Sequence, residues 1–223
     1  MHIRTVKRMR EIAWATLPGL DYIGSLKVTL RPKSMIQPDF PSRLTFAREM
    51  TKRDVVLEAG ANVGGNSKEL PKYAKFVHSF EPSPSSYKWL LRNTKRIPNI
   101  HCYNAAVSGE TKRAQRFNVQ YGSGSLFNHD VFDWKAHIEV DVIGINDIPF
   151  EFNAMLMDCE GAELPAFRMF KKWDMVDKVY VETHMIDGRS TKPETKRLLR
   201  EHFDDVTEDV DPSGRFPWLV ARR

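Results

Sequence analysis

The chain has 223 residues and a formal net charge of +5, with 41% hydrophobic and 28% charged residues. This composition is ordinary for a soluble globular protein with room for one large domain. No run of 18 or more apolar residues occurs, which argues against an integral membrane protein, and the basic start has no continuous apolar core of the signal-peptide kind. Cys102 and Cys159 lie in apolar stretches, so we predict buried free thiols and a cytoplasmic protein.

Residues 1–50 are predicted to form an irregular extension. The pattern favours an amphipathic helix over His2–Leu17, a proline-rich loop over residues 31–41, and a short helix Arg43–Met50 capped by Ser42. Basic residues gather here, at Arg4, Lys7, Arg8, Arg10, Lys27, Arg31 and Lys33. The extension can be a lid on the substrate side, a contact with a membrane surface, or a solvated flank packed on the domain. Its narrow apolar face favours the flank.

Residues 51–223 are predicted to form an α/β domain, because short apolar runs alternate with helical patterns. The runs are of strand length and suit parallel strands buried on both faces; they are Asp54–Glu58, Lys75–Phe80, Ile100–Asn104, Ala154–Asp158 and Lys178–Glu182. Helices are predicted after a glycine turn (ending near Leu70, because Pro71 follows), after Ser83-Pro84, over Glu163–Lys172, and from Thr191 to about His202.

Two further pairs of segments are predicted to be antiparallel. Arg113–Val119 and Ala136–Ile143 flank Gly122–Ser125 and read as an inserted β-hairpin, while Asp205–Thr207 and Trp218–Ala221 read as a closing hairpin. The sequence therefore predicts a doubly wound sheet that is mainly parallel, with one inserted and one closing hairpin.

A glycine turn follows the first predicted strand. Its sequence, EAGANVGG, places Gly60 and Gly64 four residues apart and Glu58 two residues before the first glycine. Glycines at such a turn let a ligand lie against the main chain, although a purely structural turn has the same pattern. A carboxylate there suits a cationic group better than a phosphate, and the missing Gly-x-Gly-x-x-Gly disfavours an NAD-dependent dehydrogenase.

Glu81 adds to this pattern, because it lies 21 residues after Gly60 at the end of the second predicted strand. An acid at that distance and position is placed to accept hydrogen bonds from a ribose diol. The two features together predict a nucleoside-containing ligand at the carboxyl end of the sheet.

Six blocks of sequence together resemble the FkbM family of methyltransferases. They are DVVLEAGANVG, SFEPSP, NAAVSG, GSGSL, MDCEGAE and VETH, and they span roughly residues 53–186. The resemblance implies a class I methyltransferase sheet of the Rossmann-like type and S-adenosylmethionine as methyl donor. It also implies O-methylation of a hydroxyl on a sugar, glycan or other small metabolite.

By position, the resemblance assigns Glu58, Gly60, Asn62 and Gly64 to the methionine end of the cofactor and Glu81 to its ribose. It assigns residues 104–106 to the adenine and two serines to the cofactor carboxylate. The full predicted cofactor site is Glu58, Ala59, Gly60, Ala61, Asn62, Gly64, Asn66, Glu81, Pro82, Ser83, Asn104, Ala105, Ala106, Ser123, Ser125 and Asp158.

Four residues at the carboxyl ends of the fourth and fifth parallel strands are the predicted catalytic groups: Asp158, Glu160, Glu182 and His184. His184 titrates near neutrality, so it is either the base that takes the hydroxyl proton or a histidine that caps a strand end. If a divalent metal such as Mg²⁺ takes part, its predicted ligands are Asp158, Glu182 and His184, although no compact metal-binding motif is present. Glu163 is read as the first-turn acid of the next helix.

Other functions fit the sequence less well. The basic start suits a nucleic-acid partner, for example in ribose 2′-O methylation, but no catalytic lysine follows the fifth parallel strand. A non-catalytic binding module is disfavoured by the acids at both strand ends. The acceptor, the metal requirement and the oligomeric state stay open.

Overall fold

The computed structural model describes residues 46–120, 123–128, 136–210 and 217–223. The predicted helix over His2–Leu17, the loop over residues 31–41 and the start of the helix Arg43–Met50 lie outside these residues, whereas residues 46–49 are helical as predicted. The strands are β1 (Val55–Ala59), β2 (Phe76–Phe80), β3 (Ile100–Tyr103), β4 (Ala106–Ser108), β5 (Lys112–Gln120), β6 (Ser123–Ser125), β7 (Ala136–Gly144), β8 (Ala154–Met157), β9 (Lys178–Glu182), β10 (Met185–Ile186), β11 (Arg189–Ser190), β12 (Asp205–Val210) and β13 (Pro217–Arg222). The helices are α1 (Gly65–Tyr73), α2 (Pro84–Thr94), α3 (Glu163–Met169) and α4 (Lys192–Arg200), with 3₁₀ turns at Ile145–Asp147 and Trp173–Met175.

The main sheet has seven strands in the order β12-β13-β9-β8-β1-β2-β3. The five strands from β9 to β3 in that order are parallel to one another. Strand β13 runs antiparallel to both β9 and β12. This confirms the predicted doubly wound sheet with its closing hairpin.

The central parallel strands β1, β8 and β9 are buried on both faces, which is why each reads as an almost continuous apolar run. Leu57, Met155 and Val179 belong to the core on one face of the sheet. Their chain neighbours Val56 and Leu156 belong to the core on the other face. Successive side chains of a strand point to opposite faces, so a strand between two cores needs apolar residues at every position.

The register brings the carboxyl ends of the parallel strands to one edge. Ala59 at the end of β1 pairs with both Phe80 and Met157, and Met157 pairs with Val181. The residues that follow these strands therefore meet at the same edge, where open parallel sheets bind ligands.

Helix α1 differs from the prediction, because it continues through Pro71 to Tyr73 instead of ending near Leu70. Pro71 has no amide hydrogen and therefore removes one hydrogen bond of the helix. Because Pro71 lies in the last turn, only two helical residues follow it. The amide of Ala74 still bonds to the carbonyl of Leu70 (2.9 Å). The carbonyl of Pro71 accepts a hydrogen bond from the Asn99 side chain (2.9 Å). These contacts outside the helix offset the cost of the proline.

The insertion is larger than the predicted hairpin. Strands β5 and β7 are antiparallel as predicted, but they belong to a four-stranded sheet in the order β4-β7-β5-β6. Strand β4 runs parallel to β7, and its three residues were too short a run to predict as a strand.

Two smaller corrections concern the chain after β8. Strand β8 ends at Met157, so Cys159 lies beyond it and is only half-buried, whereas Cys102 is buried in β3; both are free thiols. Helix α3 ends at Met169 instead of Lys172.

In the part of the chain that the structure describes, no helix is long and apolar enough to cross a bilayer.

At the opposite edge of the sheet, Asn153 ties together the amino ends of three strands. Its side-chain oxygen accepts the amide of Val55 (2.8 Å), and its side-chain nitrogen donates to Asp54 and to Asp177 (both 2.9 Å). Burial alone would raise the pKa of Asp54, but hydrogen bonds from Thr51, Lys178 and Asn153 outweigh it and hold the pKa below its usual range.

Replacing Asn153 with alanine should lower the free energy of unfolding by about 1–3 kcal/mol, since buried groups on β1 would lose their partner. Urea denaturation measures this loss, with the exposed Glu151→Ala as a control that we expect to stay within about 0.5 kcal/mol of wild type. An Asn153→Ala protein as stable as wild type would contradict this account of the strand ends.

Candidate functional site

The glycine turn after β1 passes over the end of β2 and touches the end of β8. The amides of Gly60 and Ala61 both donate to the carbonyl of Phe80 (3.0 and 2.9 Å). Gly60, Asn62 and Gly64 have positive φ angles of 84°, 50° and 90°. A Cβ on Gly60 would lie 1.6 Å from the carbonyl oxygen of Asp158, so the turn and the residue after β8 are in backbone contact.

Glu58, at the end of β1, connects the glycine turn to α1 and β2 through hydrogen bonds. Its side chain is buried, and its Oε2 atom accepts hydrogen bonds from the hydroxyls of Ser67 on α1 (2.7 Å) and Ser79 on β2 (2.5 Å). These bonds fix the carboxylate at the start of α1. The sequence predicted Glu58 as a site residue but not its two serine partners.

Glu81 lies beside the turn, as its spacing predicted. One of its carboxylate oxygens accepts the amide of Asn62 and the other accepts the amide of Ser83 (both 2.8 Å). Burial raises the pKa of Glu81 to about 7; these two hydrogen bonds oppose the increase, and the nearby carboxylates of Asp158 and Glu58 add to it.

Other residues predicted for the cofactor lie around this edge. Asn104 donates to the carbonyls of Glu81 (2.8 Å) and Pro82 (2.9 Å), so it fixes the loop after β2. Ala59, Ala61, Ala105 and Ala106 are buried, and Asn66 is in the first turn of α1. Ser83 precedes α2 but makes no side-chain cap; its hydroxyl lies 2.9 Å from that of Ser85.

The two serines of the insertion lie on β6, next to the end of β8. The buried hydroxyl of Ser125 donates to the carbonyl of Glu160 (2.5 Å) and accepts the amide of Phe127 (2.9 Å). Ser123 pairs through its backbone with Gln120. Ser125 therefore ties the insertion to the segment after β8.

The four predicted catalytic residues do come together, around His184. Its Nε2 atom lies 4.0 Å from Asp158 Oδ1, and its Nδ1 atom lies 3.4 Å from Glu160 Oε2. One ligand atom from each of Asp158, Glu182 and His184 lies within 4.8 Å of the other two. We call Asp158, Glu160, Glu163, Glu182 and His184 the acid–histidine cluster.

Glu163 is the member of this cluster that the sequence analysis did not assign to the site. It is the first-turn acid of α3 as predicted, but its buried carboxyl group also lies 3.3 Å from Nε2 of His184. It accepts the amides of Cys159 and Gly161. Burial raises its pKa to about 8; the backbone hydrogen bonds oppose this, and the charge of Asp158 adds to it. The sequence signal that could have assigned Glu163 to the site is its position as the third acid of the DCEGAE motif.

His184 is buried and is hydrogen-bonded through its backbone. Its amide donates to the hydroxyl of Thr191 and its carbonyl accepts the amide of Thr191 (both 2.9 Å). Burial lowers the pKa of His184 to about 4, while the charge of Asp158 opposes the decrease. The imidazole is therefore uncharged at neutral pH, with one nitrogen able to accept a proton or a cation. The prediction that His184 titrates near neutrality is wrong, because burial disfavours its charged form.

Apolar side chains border the cluster. A Cβ on Gly161, whose φ is +105°, would lie 2.6 Å from Ile186 Cδ1 and 3.6 Å from Phe127 Cδ2. Phe127 comes from the insertion and Ile186 from the β10–β11 hairpin, so two elements outside the main sheet meet here. The sequence analysis did not identify either residue.

Comparison with known proteins identifies the family. The family model described as the methyltransferase FkbM domain matches residues 58–207, well over half of the chain. The chain belongs to the FkbM methyltransferase family. This confirms the resemblance seen in the sequence, and the matched range includes Glu81 and every member of the acid–histidine cluster.

Solved structures show the same fold. The FkbM methyltransferase of Methylobacillus flagellatus is 18% identical, with a TM-score of 0.55; the match covers 78% of this chain and 44% of that protein. A putative methyltransferase from Streptococcus mutans, solved in complex with SAH, is 12% identical with a TM-score of 0.50, and the match covers 86% of this chain and 98% of that one. These structures confirm the class I methyltransferase fold for this FkbM family member.

A viral relative matches a shorter stretch. An uncharacterized protein of Acanthamoeba polyphaga mimivirus is 38% identical over 64 residues, which is 28% of this chain and 25% of that protein. The chain thus spans a quarter of the viral relative and less than half of the Methylobacillus protein.

Replacing Gly60 with alanine should lower the free energy of unfolding by about 4 kcal/mol or more, because the new Cβ would separate β1 from β8. Gly188→Ala is a matched control: its φ of +74° is similar, but a Cβ there meets nothing within 4 Å. We expect that variant to lose only about 1–2 kcal/mol. Equal losses in the two variants, measured by denaturant unfolding, would refute the close contact at Gly60.

Proposed function

We propose that this FkbM family member transfers a methyl group from S-adenosylmethionine to a hydroxyl of a sugar, glycan or other small metabolite. The observation that carries the proposal is the contact between the glycine turn and the acid–histidine cluster. A cofactor bound along the turn would present its methyl group to the side of the sheet where Asp158 and His184 lie. Binding donor and acceptor side by side can supply much of the rate acceleration.

The residues of the turn fit the cofactor. Glu58 and Glu81 are buried carboxylates at the ends of adjacent strands, and the cofactor has a positively charged sulfonium, an ammonium group and a ribose diol to match them. Glu81, fixed by the amides of Asn62 and Ser83, is placed to accept hydrogen bonds from the ribose hydroxyls. S-adenosylmethionine supplies an activated methyl group. SAH in the Streptococcus mutans structure of the same fold supports this assignment.

The cluster supplies what a hydroxyl acceptor requires. A hydroxyl must lose its proton when it accepts a methyl group, and a nearby base promotes this step. The cluster offers the neutral imidazole of His184 and carboxyl groups on both sides of it. The proton therefore passes from the hydroxyl to a member of this cluster, and the remaining carboxylates stabilise positive charge that forms near them.

The charge of the cluster favours an acceptor without phosphates. Without a bound cation, the acidic groups of Asp158, Glu160 and Glu182 in this partly buried site would repel a nucleic-acid backbone. Hydroxyl-rich acceptors suit carboxylates, which accept their hydrogen bonds. The basic residues that favour a nucleic-acid partner lie in residues 1–45, outside the part that the structure describes.

Glu81→Gln should weaken the binding of S-adenosylhomocysteine by about 1–3 kcal/mol, because charged hydrogen bonds are lost. The raised pKa of Glu81, about 7, also predicts a pH dependence. Its carboxyl group is increasingly protonated as the pH falls below 7, so wild-type affinity should rise from pH 6 to pH 8. Glu81→Gln should remove this rise.

Isothermal titration calorimetry at pH 6, 7 and 8 measures both effects. Glu151→Gln, at an exposed position, is the control and should bind as wild type does. Unchanged affinity in Glu81→Gln would overturn the assignment of Glu81 to the ribose.

His184→Ala should abolish methyl transfer while largely keeping the affinity for S-adenosylhomocysteine, because His184 lies on the acceptor side. Transfer of labelled methyl to a panel of oligosaccharides, nucleosides and RNA measures turnover and tests the acceptor class together. His101→Ala, at an exposed position on β3, is the control. Full activity in His184→Ala would contradict the role of the cluster, and transfer to RNA alone would contradict the proposed acceptor.

A further inference from the structure

We propose that Asp158, Glu182 and His184 form a binding site for one divalent cation of the Mg²⁺/Mn²⁺ type. The catalytic use of the cation rests on the proposed methyl transfer, whereas its binding can be tested without any acceptor.

The spacing of the three side chains fits a small cation. Their ligand atoms lie within 4.8 Å of one another. Around a cation at about 2.1 Å in octahedral geometry, neighbouring ligand atoms are about 3 Å apart and opposite ones about 4.2 Å. Small side-chain rotations close the remaining gap. Three protein ligands leave the other positions to water or to an acceptor oxygen.

The backbone of each ligand is fixed. The amide of Asp158 donates to the carbonyl of Ala59 (2.9 Å) and extends the β1–β8 ladder. Glu182 ends β9 and pairs with Trp218 of β13. His184 is bonded to Thr191 through both its amide and its carbonyl. A metal site whose ligands stand on an ordered backbone loses less conformational freedom when it binds the metal.

The second nitrogen of His184 has the kind of partner that is common in metal sites. The Nε2 atom lies 3.3 Å from Glu163 Oε1 and 4.0 Å from Asp158 Oδ1, while Nδ1 lies 3.4 Å from Glu160 Oε2. A histidine that binds a metal usually presents its other nitrogen to a carboxylate, which fixes the ring and increases its basicity. Glu160 occupies that position here.

The charges of the cluster favour a cation over a further neutral group. Asp158 and Glu182 are acidic, and Glu160 and Glu163 lie within 3.4 Å of the same imidazole. A divalent cation would offset the mutual repulsion of those carboxylates that are ionised, which is strong at such distances in a buried site. Oxygen ligands with one imidazole suit Mn²⁺ and Mg²⁺ better than softer metals.

A cation at this position has a defined use in methyl transfer to a hydroxyl. It would lower the pKa of an acceptor hydroxyl beside it, so that the hydroxyl loses its proton near neutral pH. With Nε2 of His184 on the cation, the group that takes up that proton would be a carboxylate of the cluster, either Glu163 beside Nε2 or Glu160 beside Nδ1.

The test is a titration of the full chain with Mn²⁺, followed by the electron paramagnetic resonance signal of free Mn²⁺. We expect one saturable site, with Mg²⁺ competing for it. Asp158→Asn and Glu182→Gln should each weaken Mn²⁺ binding by about tenfold or more, since even changes to groups around a metal site cost 10–100-fold. Asp174→Asn, at a fully exposed acid outside the cluster, should bind within about twofold of wild type.

Denaturant unfolding shows whether each variant is folded, and the site is judged on the folded variants and the wild type. The absence of saturable Mn²⁺ binding to the wild type, or wild-type affinity in a folded Asp158→Asn or Glu182→Gln protein, would overturn the proposal. The two proposals fail separately. Methyl transfer that persists in EDTA without Mn²⁺ binding refutes only the cation site, and Mn²⁺ binding without any methyl transfer refutes only the enzyme activity.

Discussion

The backbone contact between Gly60 and Asp158 is the constraint on which the site depends. It brings the turn after β1 against the residue after β8, with no room for a side chain at Gly60. The parallel register of β1, β2 and β8 makes this contact necessary, because it ends the three strands at the same level. The glycine turn, where we propose that the cofactor binds, and the acid–histidine cluster consequently lie on two sides of one backbone junction.

Burial of carboxyl groups is the second physical theme of the site. Glu58, Glu81 and Glu163 are all nearly inaccessible to water, and burying a charged group is costly unless it is paired or hydrogen-bonded. Hydrogen bonds from two serine hydroxyls offset this cost for Glu58, and hydrogen bonds from backbone amides offset part of it for Glu81 and Glu163. The raised pKa values of Glu81 and Glu163 show that the compensation is incomplete. Carboxyl groups with perturbed pKa values are typical of functional sites.

The sequence predicted the parts of this molecule that depend on local patterns. Apolar runs such as Lys178–Glu182 predicted the parallel strands, and the spacing of Gly60 and Glu81 predicted that these two residues lie at the same edge of the sheet. The sequence did not predict features that depend on contacts between distant segments. Helix α1 continues past Pro71 because Asn99, far along the chain, bonds to the carbonyl of that proline. Glu163 could be recognised as a helix-start acid, but its approach to His184 depends on how α3 and β9 are placed in space.

The two sides of the site are also coupled through charge. The negative charge of Asp158 contributes to the raised pKa of Glu81 and opposes the lowered pKa of His184. A positive charge bound near Asp158 would therefore lower the pKa of Glu81 and favour the ionised carboxylate that the proposed contact with the ribose requires. Coupling between two binding events is reciprocal, so a ligand that needs ionised Glu81 would in turn strengthen the binding of a cation at the cluster. The charge of Asp158 would then link binding at the proposed cofactor side to binding at the acid–histidine cluster.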